Sequence, residues 1–399
     1  MNDSAPLPRG FRAAAVSCGI KRDPTKLDLT LIVSDHAAAA AGVFTQNRVA
    51  AAPVQVSRRR VPASIVRAIV VNSGNANACT GDAGLADARQ MSQLVAAQLG
   101  CPAEAVLVCS TGVIGERLPM TKIEAGIAAA LPRLSDAAGT LELAARGIMT
   151  TDTVPKLTSR TVELAGRSAR ISGIAKGAAM IGPNMATMLS FVLTDAAVPH
   201  EPLRDALAAA VDCSFNCICV EGHMSTNDTV LLLANGAAGG PTLEGDALSR
   251  FRVHLTETCF ELAQAIVRDA EGAEHFITIN VEGLRSDADA RRVAKTVAES
   301  PLVKTAIHGA DPNWGRFVSA AGYAGVEFDE RQLSCWLNGT LLYDHGDPVA
   351  CDAAALSETL RSHREVTLRL KFELGTARCQ FWTCDLTEEY IKLNADYRT

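Results

Sequence analysis

Apolar residues follow two periods along the chain, and each period predicts one kind of element. Runs rich in β-branched residues predict strands, at 26–33, 67–71, 105–109, 160–164, 168–174, 188–194, 229–234, 276–281, 366–373 and 378–385. Apolar positions spaced i, i+3, i+4 predict helices, at 85–99, 139–148, 202–211, 247–269, 287–299 and 353–362. Strands and helices mix without a regular strand–helix–strand rhythm. The pattern therefore favours an α+β or layered α/β architecture over a doubly wound sheet or a barrel.

The predicted helix 247–269 has the clearest pattern, because its apolar residues fall on one stripe: Phe251, Leu255, Cys259, Leu262 and Ile266. No low-complexity segment divides the chain, and the small-residue patches at 37–41 and 236–240 are too short for domain linkers. From the length of 399 residues we expect one large domain, or two to three that pack closely.

Composition and charge exclude several classes of function. Hydrophobic residues make up 48% of the chain and charged residues 21%, and no apolar run approaches the length of a membrane span. A net charge of −6 argues against a surface for polyanions, because such surfaces neutralise phosphates with Lys and Arg. We therefore expect a folded protein with no nucleic-acid partner and no membrane association.

The cysteines are typical of a protein from a reducing compartment. The twelve are spread from Cys18 to Cys384, and the closest group, Cys213, Cys217 and Cys219, has neither a C-x-x-C spacing nor a histidine at ligand distance. The first residues, MNDSAPLPRGF, lack the positive and apolar regions of a secretory signal. We expect reduced and mostly buried thiols, no structural zinc, and a cytoplasmic protein.

The most unusual segment is KGAAMIGPNMATMLSF, residues 176–191. Gly177 and Pro183 predict a turn, and Thr187 opens a run that reads as a strand. Thr187 can be an ordinary strand residue that ends a loop. Alternatively, it is a nucleophile released by cutting the Ala186–Thr187 bond, since its new α-amino group, with a pKa of about 7.7–8.0, can serve as the general base.

No histidine lies in the sequence context of a Ser–His or Cys–His hydrolase. Three other features are candidates for chemistry: two polar loops and Glu271. In the loop CSTGVIGER, the hydroxyl of Thr111 and the amide of Gly112 can donate to an oxyanion. The Asn/Gly-rich segment 71–81 is either a network of turns or a site for a polar ligand. Glu271 is either an exposed residue that closes the helix 247–269 or an anion for a substrate ammonium, because a helix C-terminus disfavours a carboxylate.

Eight motifs occur in one order along nearly the whole chain. They are GVFTQNRVAAAPV from residue 42, VNSGNANACTG from 71, CSTGVIGER from 109, IMTTDTVPK from 148, KGAAMIGPNMATML from 176, STNDT from 225, SPLVKTAIHGADPNWGR from 300 and LNADYRT from 393. In this combination the sequence resembles the ornithine acetyltransferase family, the bifunctional glutamate N-acetyltransferase/amino-acid acetyltransferase of arginine biosynthesis. The resemblance favours the nucleophile interpretation of Thr187.

The resemblance implies a fold and a processing step. The implied fold is the layered αββα-type sandwich shared with self-processing aminopeptidases of the DmpA type. Self-cleavage between Ala186 and Thr187 would give an α chain, 1–186, and a β chain, 187–399, that form one interlocked fold. We expect two α and two β chains to associate into a heterotetramer.

The resemblance also implies a reaction and its residues. Thr187 would accept an acetyl group from N2-acetylornithine and pass it to glutamate, with the oxyanion stabilised by Thr111 and Gly112. The substrate contacts implied by the family are Thr151, Lys176, Thr187, Glu271, Asn394 and Thr399. No metal or redox cofactor is implied, and acetyl-CoA is a second acetyl donor in some members.

The sequence departs from the family at one loop and leaves two other functions open. Relatives commonly read V-D-G-D-T before S-T-N-D-T, whereas this chain has His223 and Met224 at the last two of those positions, so the polar network of the loop is expected to differ. One alternative is a self-processing aminopeptidase or amidase, in which water resolves the acyl-threonine. The other is a catalytically silent binding protein on the same scaffold.

Overall fold

The computed structural model describes residues 5–182 and 188–396. The strands are β1 (Phe11–Val16), β2 (Leu29–Phe44), β3 (Ala63–Asn75), β4 (Val106–Val113), β5 (Lys156–Leu164), β6 (Arg167–Lys176), β7 (Leu189–Thr194), β8 (Ile218–Cys219), β9 (Thr229–Ala234), β10 (Phe276–Leu284), β11 (Leu333–Leu337), β12 (Thr340–Asp344), β13 (Asp347–Pro348), β14 (Glu365–Phe372) and β15 (Ala377–Cys384). The helices are α1 (Ala52–Arg58), α2 (Gly81–Leu99), α3 (Met120–Ala130), α4 (Thr140–Ile148), α5 (His200–Cys213), α6 (Gly245–Arg268), α7 (Asp287–Glu299), α8 (Pro301–His308), α9 (Trp314–Gly322), α10 (Ala353–Ser362) and α11 (Glu388–Asp396). Within these described ranges, no helix is both long and apolar enough to cross a membrane.

The first sheet interleaves strands from the two sides of position 187. Its order is β4-β3-β2-β9-β7-β6-β5, and β1 pairs with β2. In the middle of the sheet, β7 and β9 run parallel to each other; β7 pairs with β6 and β9 pairs with β2, both antiparallel. Two strands that follow position 187 are therefore enclosed by strands that precede it.

The second sheet is built only from strands that follow position 187. Its order is β13-β12-β11-β14-β10-β15-β8. Strand β10 runs parallel to its neighbour β14 and antiparallel to its other neighbour β15. The molecule is thus a mixed α/β sandwich of two sheets, as the layered prediction requires.

Helix α6 joins the two sheets into one core. It packs against β5 and β6 of the first sheet and against β8 and β15 of the second. The predicted stripe is confirmed, because all five of its residues are buried in the largest apolar cluster: Phe251, Leu255, Cys259, Leu262 and Ile266. On the other side of the second sheet, α7 covers β10 and β15. The largest apolar cluster includes strands of both sheets, which explains why the sequence contains no linker between them.

Strand β2 is longer than predicted. The sequence predicts a strand only over 26–33, but β2 extends to Phe44 through the alanine-rich patch at 37–41. Its alanines Ala38, Ala40 and Ala41 are fully buried. They pair with β3 on one side and β9 on the other, so tertiary pairing overrides the low strand propensity of alanine.

The cysteines are free thiols, as predicted, but fewer are buried than the sequence suggests. Six of the twelve are buried, four are half-buried, and Cys79 and Cys351 are exposed. Burial raises the pKa of Cys219, Cys335 and others, so these thiols behave as small apolar side chains.

Candidate functional site

The predicted oxyanion residues lie where β4 runs beside β3. The two strands are parallel, and their register aligns Gly112 with Gly74. Gly112 has a φ of +130°, and a Cβ there would lie 2.3 Å from the carbonyl carbon of Gly74, so only glycine fits. Thr111 is buried, and its hydroxyl oxygen accepts a hydrogen bond from Lys176 Nζ at 3.3 Å. Because the oxygen is the acceptor, the hydroxyl hydrogen remains available for donation to a ligand.

Lys176 is a buried cation at the end of β6. Lys176 is only 3% exposed. Burial lowers the pKa of Lys176, and the carboxylate of Asp152 is the strongest influence in the opposite direction. Lys176 Nζ donates a hydrogen bond to the neutral hydroxyl of Thr111. An anionic substrate group would therefore find a poorly solvated positive charge here.

An ion network of three buried side chains lies next to this lysine. Lys156 Nζ is 2.6 Å from Asp152 Oδ1 and 2.5 Å from Asp269 Oδ2, and the three side chains are 7% exposed or less. Asp152 Oδ1 also accepts the amide of Gly177 at 2.7 Å. Burial acts to raise the pKa of Asp152, but the nearby lysines and hydrogen bonds outweigh burial and bring it to about 2. The network ties the residue after Thr151 to the end of β6 and the end of α6.

The sequence did not indicate the ion network of Asp152, Lys156 and Asp269. An acid and a base four residues apart, such as Asp152 and Lys156, indicate a pair only on a helix, and here the segment is a loop that leads into β5. The second acid, Asp269, is more than a hundred residues away along the chain. Only the packing of α6 against β5 brings it near.

Glu271, which follows the end of α6, meets Asn394 of α11. The prediction that Glu271 closes the long helix is wrong, because α6 ends at Arg268. The carboxylate of Asp269 is drawn to Lys156, and the chain turns away before Glu271. Asn394, on α11, donates from Nδ2 to Glu271 Oε2 at 3.0 Å. The other carboxylate oxygen of Glu271 can accept from a cationic ligand.

The structure brings most of the predicted site residues to one cavity. Its lining includes all six of those that are described: Thr111, Gly112, Thr151, Lys176, Glu271 and Asn394. Ala76, Met180 and the segment 225–227 complete much of the wall. The remaining predicted residues, Ala186, Thr187 and Thr399, lie outside the described residues.

Asn227 is a lining residue that sequence reasoning missed. Its side-chain amide donates to the carbonyl oxygens of Ala76, at 2.7 Å, and Ser110, at 2.8 Å. These bonds join the STNDT motif to both polar loops. The STNDT motif drew attention to this segment, but the sequence does not show that the side chain of Asn227 contacts Ala76 and Ser110. His223 and Met224 are not part of the described lining, so the departure from the family lies beside the cavity wall.

A second group of polar side chains could hold a metal ion. Glu274, His308 and Asp385 each place one ligand atom within 4.8 Å of the others. However, His308 Nδ1 lies 3.5 Å from Glu274 Oε2 and 3.5 Å from Asp385 Oδ2, and Asp385 Oδ2 also contacts His275 Nδ1 at 2.8 Å. Pairing between histidines and carboxylates is sufficient to explain this cluster.

The cavity combines groups that suit acyl transfer from an amide substrate that carries both a negatively and a positively charged group. Thr111 and Gly112 offer two donors for an oxyanion, Lys176 offers a buried cation, and Glu271 offers an anion. All of these residues line the same cavity, so one small dipolar molecule could contact all of them.

Comparison with known proteins gives a consistent result. The model of the ArgJ family matches residues 12–399. The arginine biosynthesis bifunctional protein ArgJ of Geobacter sulfurreducens is 49% identical over 393 residues, which cover 98% of this chain and 99% of that protein. The protein of the same name from Rhodopirellula baltica is 44% identical over 411 residues and covers both chains completely. A crystal structure of ArgJ from Bacillus halodurans superposes with a TM-score of 0.52 at 38% identity, covering 53% of this chain and 100% of that chain.

Proposed function

The chain belongs to the ArgJ family of acyltransferases, and on that premise we propose that it transfers an acetyl group from N2-acetylornithine to glutamate through an acetyl ester on Thr187. The observation that carries the proposal is the convergence of Thr111, Gly112, Lys176 and Glu271 on one cavity. Acetylornithine has an amide carbonyl, an α-carboxylate and a side-chain ammonium. The cavity offers a counterpart for each of the three.

Each charged group of the donor is assigned to one partner. The α-carboxylate binds near Lys176, whose burial leaves its charge poorly solvated. The side-chain ammonium binds the carboxylate of Glu271, which Asn394 holds through one oxygen. These two contacts orient the acetyl carbonyl towards Thr111 and Gly112. Thr151 and Thr399 are the further contacts that the family resemblance implies.

The reaction follows a ping-pong course in which one ester is formed and broken. The free α-amino group of Thr187 takes the hydroxyl proton, and the oxygen attacks the acetyl carbonyl. Thr111 and Gly112 donate to the resulting oxyanion. The C–N bond then breaks, the proton passes to the leaving amine, and ornithine departs. The amine of glutamate attacks the ester, loses a proton, and restores the threonine hydroxyl.

The same threonine performs the cleavage that creates its amino group. Its hydroxyl attacks the carbonyl of Ala186, the peptide bond rearranges to an ester, and water hydrolyses that ester. The products have 186 and 213 residues, since 399 minus 186 is 213. No electron transfer occurs in either reaction, so the proposed cycle needs no redox cofactor, and it includes no metal-dependent step.

Thr187→Ala tests the nucleophile. The variant should run as one full-length band on a denaturing gel and should form no N-acetylglutamate, because it has neither the hydroxyl nor the ability to release an N-terminal threonine. Thr25→Ala, at an exposed threonine of a surface turn, is the matched control and should behave as wild type. Two bands from Thr187→Ala would refute the assignment, and so would a wild-type protein that transfers acetyl while uncleaved.

Two assays separate the transferase from its relatives. Ornithine release from acetylornithine at full rate without glutamate would indicate the self-processing amidase, in which water resolves the ester. An intact, inactive wild-type chain would indicate a silent binding protein. Acetyl-CoA is then offered with glutamate alone: formation of N-acetylglutamate would show that this chain also uses the second donor.

We propose that the two chains remain together after cleavage. The sheet order supports this, because β7 and β9 of the second chain lie between β6 and β2 of the first. Pairing of two such units into a heterotetramer is carried over from the family resemblance, and light scattering after size exclusion measures it. A cytoplasmic location agrees with twelve free thiols, since a reducing compartment keeps them unpaired.

A further inference from the structure

Asp228 is a fully buried carboxyl group at the start of the central strand pair. It is 0% exposed and precedes the first residue of β9. Its Oδ1 atom accepts the backbone amide of Met188 at 3.1 Å. Met188 is the residue that follows Thr187 in the sequence. The family resemblance assigns no role to Asp228.

Asp228 and its neighbour together fix both polar groups of the Met188 backbone. The amide of Met188 donates to Asp228 Oδ1, and the carbonyl oxygen of Met188 accepts the amide of Thr229 at 3.1 Å. The backbone of Asp228 is itself held, because its carbonyl oxygen accepts the amide of Thr45 at 2.9 Å. Asp228 therefore connects the ends of β2 and β9 to the residue just before β7.

The position of this carboxyl group is costly to stability. Among the described residues, the second oxygen, Oδ2, is buried and has no hydrogen-bond partner. Burial raises the pKa of Asp228 well above its usual range, although the amide of Met188 and the charge of Lys176 act to lower it. A buried oxygen without a partner destabilises the folded state. The group is therefore kept at a cost, and the contact that it provides is its hydrogen bond to the Met188 amide.

We propose that Asp228 is a positioning residue for the nucleophile, acting through the Met188 amide in both self-cleavage and acetyl transfer. The peptide unit is planar and joins the carbonyl carbon of residue 187 to the nitrogen of residue 188. A hydrogen bond that orients the Met188 amide therefore fixes the plane of the peptide unit that Met188 shares with the residue before it. This inference rests on the proposed function, because it takes Thr187 as the nucleophile.

Two substitutions at one position test the role. Asp228→Asn keeps a carbonyl acceptor for the Met188 amide and removes the buried acid, so cleavage and turnover should stay within about threefold of wild type. Asp228→Ala removes the acceptor and leaves the amide free. Its cleavage should slow by about 10- to 100-fold, and the cleaved fraction should show a similar loss in kcat with little change in the KM for acetylornithine.

Asp195→Ala is the matched control for a purely structural loss. Asp195 is also a buried carboxylate, it directly follows β7, and it accepts the amides of Arg170 and Arg9. Its removal should lower the melting temperature without changing the cleavage rate or the kcat of the folded protein. The split between kcat and KM, and the rescue by asparagine, distinguish positioning from stability.

The outcomes are distinct from those of the function test. The inference is overturned if Asp228→Ala cleaves and turns over as wild type does, or if its only defect is the loss of melting temperature seen in Asp195→Ala. It is also overturned if Asp228→Asn is as impaired as Asp228→Ala, because the charge rather than the acceptor would then matter. Failure of wild type to cleave or to transfer acetyl would instead refute the proposed function.

Discussion

Replacement of Lys156 by methionine should destabilise the protein strongly. Lys156 Nζ lies 2.6 Å from Asp152 and 2.5 Å from Asp269, and the side-chain exposures of the three are 1%, 0% and 7%. Methionine fills a similar volume but supplies no charge or donor. Two carboxylates would then remain in an apolar environment without their cation.

The structure sets the size of the effect. Water cannot screen side chains that are almost completely buried, so the loss is that of a buried ion pair with one partner removed, about 3–5 kcal/mol. At about 2–4 °C per kcal/mol for chains of this order of size, the melting temperature should fall by roughly 6–20 °C. The Gly177 amide, which donates to Asp152 at 2.7 Å, would lose its fixed acceptor as well.

The pH dependence follows from the direction of the pKa shift. The pKa of Asp152 is lowered from 3.8 to about 2 in the folded protein. A lowered pKa contributes stability that is present above the unfolded value and is lost as the pH falls towards the folded value. Without Lys156, burial dominates and the pKa of Asp152 rises. The deficit of Lys156→Met should therefore be largest near about pH 7.5 and smaller near about pH 5, where the carboxylates can take up protons.

Thermal unfolding at the two pH values provides the assay, with Arg146→Met as the control. Arg146 lies 2.7 Å from Glu142 in an ion pair whose side chains are 51% and 42% exposed. Water screens such a pair, so its loss should cost less than about 1 kcal/mol. An equal loss of melting temperature in both variants would refute the reasoning, as would a Lys156→Met deficit that does not change with pH.

Three other predictions concern single residues. In Gly112→Ala, the new Cβ would lie 2.3 Å from the carbonyl carbon of Gly74 at a φ of +130°. The amide that donates to the oxyanion would be displaced, so kcat for acetyl transfer should fall by about 10²–10³-fold. Gly322→Ala is the control and should match wild type, because a Cβ there meets nothing within 4 Å. Glu271→Gln removes the anion proposed for the donor's ammonium and should raise the KM for acetylornithine by about tenfold or more with a smaller change in kcat; an unchanged KM would contradict that contact. The hydrogen bond that His275 donates to the carboxylate of Asp385 raises the pKa of His275. A raised histidine pKa gives stability that is lost as the pH rises through it. His275→Phe should therefore lose more melting temperature relative to wild type at about pH 6 than at about pH 9, and the opposite trend would exclude this linkage.

The local periods of the sequence predicted the elements whose side chains face one core. The spans 229–234, 287–299 and 353–362 coincide with β9, α7 and α10. The helices α7 and α10 each bury one apolar face, whereas β9 is buried on both faces and reads as a continuous apolar run, so each pattern follows directly from burial. The helices α1, α8 and α9 were not predicted; each spans fewer than three turns and shows only a short period, although α4, which has nine residues, was predicted.

The candidate site was predicted by motif rather than by contact. Thr111, Lys176 and Glu271 were expected in one site because they occur in motifs of one family, and they do line one cavity. Their supporting partners could not be predicted. Asp269 reaches Lys156, and Asn227 reaches Ser110, across more than a hundred residues of chain. Such pairs depend on the way the sheets and α6 pack, and no local pattern encodes them.

The interleaved first sheet has a consequence for the life history of each molecule. The strands β7 and β9 are inserted between β6 and β2, so withdrawing them would leave two unpaired edges and an open core. Before the proposed cut, folding is an event within one chain. After the cut, the same structure could be regained only by the encounter of two partners, at a rate that depends on their concentration. Each molecule would therefore fold once as a monomer and persist afterwards through slow unfolding, so its lifetime in the cell would be governed by a kinetic barrier.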